Sequence, residues 1–180
     1  MDSVIREKTG RSSEFSDILQ LIETRVVLAD TDIVTFLNLN GDADGTYIIE
    51  GMLIAGNGNG DNVSLRPNGS DVNCESILLL NTGAVLIPAS PAFLFLVDLG
   101  GINSFNYFKA ELQGSKLGGL RRGGWSTSYR GINVTNIGGQ AQFGFADSVT
   151  LITSLDVFVE AGTGDGIKAG STISLWKLKH

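Results

Sequence analysis

Thr150-Leu-Ile-Thr-Ser-Leu-Asp-Val-Phe-Val159, Ala161-Gly-Thr-Gly-Asp-Gly-Ile-Lys-Ala-Gly170 and Thr172-Ile-Ser-Leu-Trp-Lys-Leu178 follow one another near the end of the chain. The first segment alternates, so Leu151, Leu155, Val157 and Val159 share one predicted face. Asp156 falls on the other face, toward water or a partner. The second segment reads as a loop, because its glycines tolerate positive φ wherever a turn requires it. The third reads as the returning strand. A strand that closes a sheet this late predicts an all-β sandwich whose core needs its last residues.

Composition agrees with many short strands. The 180 residues include 24 glycines, about twice the usual ~7%, but only 3 prolines. Glycine scattered between apolar runs suits tight turns rather than a collagen triplet or a disordered chain. The length fits one two-sheet core. A net charge of −6 argues against nucleic-acid binding, which needs a basic face. A single cysteine, Cys74, permits no intrachain disulfide. Its apolar neighbours predict a buried structural thiol. No apolar run is long enough to span a membrane as a helix. Met1–Arg11 is charged with no apolar stretch behind it, which predicts no secretory leader and assembly in a cytoplasm.

Working back along the chain, Met1–Arg11 is polar and aperiodic, a loose tail or an arm that a partner orders. Ser12–Glu23 carries Phe15, Ile18, Leu19 and Ile22 at helical spacing behind a capping serine, and so predicts one short helix. Its stripe needs cover, from its own sandwich or from a neighbouring subunit. The β pattern is predicted to begin at Thr24, dividing the chain into an arm and helix (1–23) and a β-sandwich (24–180). Strands are expected over Arg25–Leu28, Ile33–Phe36, Thr46–Ala55, Asn62–Arg66 and Ala92–Leu99. Hairpins are expected for Ile77–Leu80 with Ala84–Ile87, and for Phe105–Gln113 with Gly124–Asn133. Gly138–Gly144 reads as a connection. Turn signals at intervals of about ten residues mark a sandwich or barrel.

Residues suited to catalysis are sparse. The single histidine, His180, leaves no imidazole base inside the domain. One cysteine and one histidine do not make a zinc set, and no phosphate-binding glycine loop is present. Asp30 with Asp32, or Asp42 with Asp44, have the spacing of paired carboxylates but lie in turns, where Asp is ordinary. Asp42-Ala-Asp-Gly45 also resembles the start of a calcium loop, without the further ligands such a loop carries. We expect no enzyme activity, no cofactor and no metal.

A basic hairpin is more informative. Lys109, Lys116, Arg121, Arg122 and Arg130 cluster in an acidic chain, with Trp125 and Tyr129 among them. It reads as a solvated tip or as a contact surface, since Arg and aromatic residues are enriched at interfaces. Trp125 and Tyr129 also have faces suited to stacking on a sugar.

Several phrases, in order, resemble a group of small bacteriophage virion proteins. They are Ile33-Val-Thr-Phe36, Leu39-Asn-Gly-Asp-Ala-Asp-Gly-Thr-Tyr-Ile-Ile-Glu50, Val63-Ser-Leu-Arg-Pro-Asn68, Ile152-Thr-Ser-Leu155 and Gly166-Ile-Lys-Ala-Gly-Ser-Thr-Ile-Ser-Leu-Trp-Lys-Leu178. They span most of Thr24–Leu178, whereas Ile87–Arg130 departs from the pattern. The resemblance implies a jelly-roll capsid decoration (cement) protein, or else a tail-fibre or tail-tip module that binds a receptor or glycan. Under the first reading a homotrimer sits on the major capsid protein at the virion surface, with no nucleic-acid or membrane partner. Its expected contact residues are Arg6, Lys8, Arg11, Phe15, Ile18, Leu19 and Ile22 of the arm and helix, and Arg121, Arg122, Trp125 and Tyr129 of the basic hairpin.

Overall fold

The computed structural model describes residues 19–56, 62–69, 74–80, 87–89, 94–98, 103–113, 122–130, 139–145, 151–160 and 166–178. Twelve strands run through them: β1 (Leu19–Val26), β2 (Ile33–Phe36), β3 (Thr46–Ile54), β4 (Asn62–Pro67), β5 (Cys74–Leu80), β6 (Ile87–Ala89), β7 (Leu94–Asp98), β8 (Phe105–Gln113), β9 (Arg122–Arg130), β10 (Gly139–Phe145), β11 (Leu155–Val159) and β12 (Thr172–Leu178). One helical turn, α1 (Gly41–Asp44), separates β2 from β3.

The strands form two sheets, ordered β1-β12-β3-β8-β9-β10-β5-β6 and β2-β11-β4-β7. Every pairing is antiparallel. The pairs are nested: β1 with β12, β2 with β11, β3 with β8, β4 with β7. A long hairpin rolled so that its arms divide between two sheets is a jelly roll. Strands β5, β6, β9 and β10 are additions to that plan, and all four extend the larger sheet beyond β8.

The core follows from alternation on the strands. Tyr47, Ile49 and Leu53 of β3, Phe108, Ala110 and Leu112 of β8, and Ile173 and Leu175 of β12 are buried. They meet Phe36, Val63, Leu65, Leu155, Val157 and Val159 from the smaller sheet. Gly51 interrupts this apolar row because Phe108 takes its space. A Cβ there would lie 2.7 Å from the Phe108 ring and 2.9 Å from the Thr172 carbonyl oxygen.

Several expectations change in the structure. The helix expected over Ser12–Glu23 is replaced in its last part by β1, in which Leu19–Glu23 is extended; Ser12–Ile18 lies outside the described residues. Backbone pairing with β12 outweighs the helical spacing, since a short isolated helix is marginal. The expected connection Gly138–Gly144 contains strand β10, paired on one side with β9 and on the other with β5. Two flanking partners impose extension on a segment whose own pattern does not require it. The strand expected from Thr150 begins only at Leu155, and Leu151 lies before it, half-buried. Within the described residues Ile87–Ala89 pairs with β5 on the side away from β10, and Ala84–Leu86 of the expected hairpin lies outside them. Cys74 begins β5.

Candidate functional site

Three polar clusters are built into the described residues, and each ties chain segments together. The first closes one end of the sandwich. Asp44 is buried on α1, and its Oδ1 accepts a hydrogen bond from Lys177 Nζ of β12 at 2.8 Å. Its Oδ2 accepts from the Tyr47 hydroxyl at 2.8 Å and the Asn40 amide at 3.0 Å. Burial pushes the Asp44 carboxyl up, but the hydrogen bonds from Lys177, Asn40 and Tyr47 and the Lys177 charge outweigh it, holding the pKa below the ordinary value. Asp44 is therefore committed to the C-terminal strand. These contacts hold the turn before β3 to the last strand, and the Asp42 side chain lies outside the described residues. Among the described residues no group of three or more His, Cys, Asp or Glu side chains is placed to hold a metal.

The second cluster lies on the outer face of the smaller sheet. Asp156 is not turned to water: it is buried between β2 and β4. Arg66 Nε donates to its Oδ2 at 2.9 Å, and Thr35 Oγ1 donates to its Oδ1 at 2.7 Å. The Arg66 guanidinium also covers Phe158, 4.5 Å above the ring centroid. Beside them Ser64 donates to Glu160.

The third cluster fastens loops at the opposite end. Asp30 accepts from the Ala169 amide at 2.9 Å, and Asp32 from the Gly166 amide at 3.0 Å. Asp30 and Asp32 are thus clamps on the approach to β12, a use of carboxylates that differs from acid–base pairing. Lys168 Nζ reaches Asn103 Oδ1 at 2.8 Å and joins the same end.

A different kind of surface lies on the outer face of the larger sheet. Alternation puts Ile48, Glu50, Met52 and Ile54 of β3 outward, beside Phe105, Tyr107, Lys109 and Glu111 of β8. Met52 is 43% exposed, Phe105 42% and Tyr107 40%, on adjacent strands. Val26 and Leu21 extend this face across β12 onto β1. Glu50 stands opposite Lys109 in register and accepts a long hydrogen bond from the Tyr107 hydroxyl at 3.5 Å. Trp176 is half-buried on this face, and its Nε1 has no acceptor among the described residues. The face thus carries Glu50 and Lys109 with exposed apolar side chains beside them.

The expected contact residues divide. Arg6, Lys8, Arg11, Phe15, Ile18 and Arg121 lie outside the described residues. Leu19 and Ile22 are on β1, where Ile22 packs against the core rather than on a helix stripe. Arg122, Trp125 and Tyr129 are on β9, Trp125 in register with Glu111 and Tyr129 with Tyr107. The register therefore brings β9 alongside the exposed face of β3 and β8. Met52 and Phe105 were missed from the sequence. The signal available was the apolar character of both faces of Thr46–Ile54, which also fits a strand covered on both sides.

No family model and no curated protein sequence matches the chain. Among solved structures, a bifunctional GH43-CE protein of Bacteroides eggerthii is similar over 76% of this chain and 18% of its own, with 12% identity and a TM-score of 0.37. An aerolysin-like protein of Bombina maxima aligns over 87% of this chain and 93% of its own, with 8% identity and a TM-score of 0.13. Similarities this slight carry no argument about function.

Proposed function

We propose that this chain is a virion structural protein, a capsid decoration (cement) protein that binds and stiffens an assembled bacteriophage head. The observation that carries the reading is an exposed apolar sheet face on a jelly roll whose polar clusters serve its own loops and strands. The ordered phrases between Ile33 and Leu178 support it. In this reading a homotrimer sits where major capsid subunits meet, and residues 1–18 reach toward a neighbour. Many weak contacts on a closed shell act together. Binding only the assembled state stabilises that state against pressure from packaged DNA.

A second reading, a tail-fibre or tail-tip module for a receptor or glycan, draws on the exposed rings of Phe105 and Tyr107 beside Glu50. Gold-labelled antibody against this chain on intact particles separates the two. Many labels over the heads are expected for a decoration protein. Label confined to the tail end would transfer the chain to the second reading, and no label on particles would remove both.

A further inference from the structure

We propose that the outer face of β3 and β8 is a two-fold contact between two copies of this chain. The proposal does not depend on where in a virion, or whether in one, the chain is used. Its basis is that the face complements itself. Glu50 and Lys109 are directly opposite on neighbouring strands, as are Met52 with Tyr107 and Ile54 with Phe105. A two-fold axis in the plane of contact, parallel to the strands and midway between β3 and β8, lays β3 of one copy over β8 of the other. Glu50 then faces Lys109 of the second copy, and Lys109 faces its Glu50. In the same operation Met52 faces Tyr107, and Ile54 faces Phe105. Acid meets base twice, and apolar side chains meet apolar side chains four times. Only the row of Ile48 and Glu111, at the edge of the patch, is mismatched, and both residues are already half-buried within their own copy.

Antiparallel sheets that pack face to face do so through such interdigitated side chains. The exposure of Met52, Phe105 and Tyr107 is what a covering sheet would remove. Two strands of nine residues, ~4.8 Å apart, present on the order of 300 Å² per copy, the size of a weak, concentration-dependent contact. A two-fold contact is closed, so it joins copies in pairs whatever larger ring they belong to.

The test is sedimentation equilibrium of the full chain over a wide concentration range, with variants chosen at exposed or half-exposed positions so that folding is retained. Wild type is expected to show a reversible doubling of mass with concentration, from monomer to dimer or from trimer to hexamer. Lys109→Glu places like charges against each other at both symmetric sites and is expected to weaken association about tenfold or more. Glu50→Lys is expected to do the same. The double variant Glu50→Lys with Lys109→Glu restores both pairs and should return association to within a few-fold of wild type. Circular dichroism checks that each variant is folded. A chain that stays monomeric to about 1 mM overturns the proposal. So does association that ignores Lys109→Glu, or that the double variant fails to rescue. Association appearing only after residues 1–18 are removed would assign the face to that segment of the same chain, and would also overturn it.

Discussion

At Gly51 the reason for a glycine is space. The Phe108 ring and the Thr172 carbonyl occupy the position of its missing Cβ. Gly51→Ala should therefore cost about 2–3 kcal/mol of stability, as overpacking at a rigid contact does, measured by urea unfolding. Asp44 makes a different kind of prediction. Its folded pKa is held below the ordinary carboxyl value. Its contribution is thus present above the unfolded pKa and is lost as pH falls through the folded one. Asp44→Asn leaves Lys177 without its charge partner and should destabilise the fold by about 3 kcal/mol at neutral pH. Repeating the unfolding at about pH 3 and below should narrow the gap between wild type and variant progressively; a gap independent of pH would deny Asp44 the role assigned to it. Trp176 gives the opposite expectation. Its Nε1 is buried without an acceptor among the described residues, a cost that Phe does not carry. Trp176→Phe should change stability by less than about 1 kcal/mol, well under the loss usual for a truncated core tryptophan.

Among the elements, β12 carries the most consequence. It lies between β1 and β3, contributes Ile173 and Leu175 to the core, and sends Lys177 to Asp44. Deletion of Ser171–His180 removes an interior strand and exposes two sheet edges. The truncated chain is expected to fail to accumulate as soluble protein, and a cooperative thermal transition in that chain would show the strand to be dispensable. The edge strand β1 shows how a sheet margin is protected. Its register shifts between Leu21 and Glu23, and Glu23 pairs with Arg25 at 2.8 Å on the same strand. A bulge and charges on an edge both discourage pairing with another chain. Replacing Glu23 and Arg25 together by valine should raise the aggregation rate in light scattering at unchanged secondary structure.

For the whole molecule, the jelly-roll plan explains why strands so far apart in sequence control one another. Its nested pairs bring β1 to β12 and β2 to β11. The cost is slow, non-local closure, and the return is one core that both ends of the chain complete. Assembly predictions belong at this scale. Removing residues 1–18, which precede β1 in the larger sheet, should abolish head binding under the decoration reading, and should leave glycan or cell binding intact under the tail reading. Arg121→Glu with Arg122→Glu should weaken assembly about tenfold if the basic hairpin is a contact surface; unchanged assembly would make it a solvated tip.

The residues alone determined that the chain is β: alternation at Ile33–Phe36, Thr46–Ile54, Phe105–Gln113 and Thr172–Leu178 is local, and each of those strands forms where its pattern falls. Alternation also separates Tyr47, Ile49 and Leu53 from Ile48, Met52 and Ile54, and it is the first set that the structure buries. What tertiary structure decided was everything that needs a partner distant in sequence. Leu19–Glu23 became strand because β12 was there to pair with it, and Gly139–Phe145 because β5 and β9 flank it. Asp156 went under Arg66 and Thr35, and Asp44 to Lys177, through contacts 90, 121 and 133 residues apart along the chain. The face of β3 and β8 belongs to the same class. Period-2 alternation reveals that a strand has two apolar faces, but only the packing of the second sheet determines which of them is left uncovered.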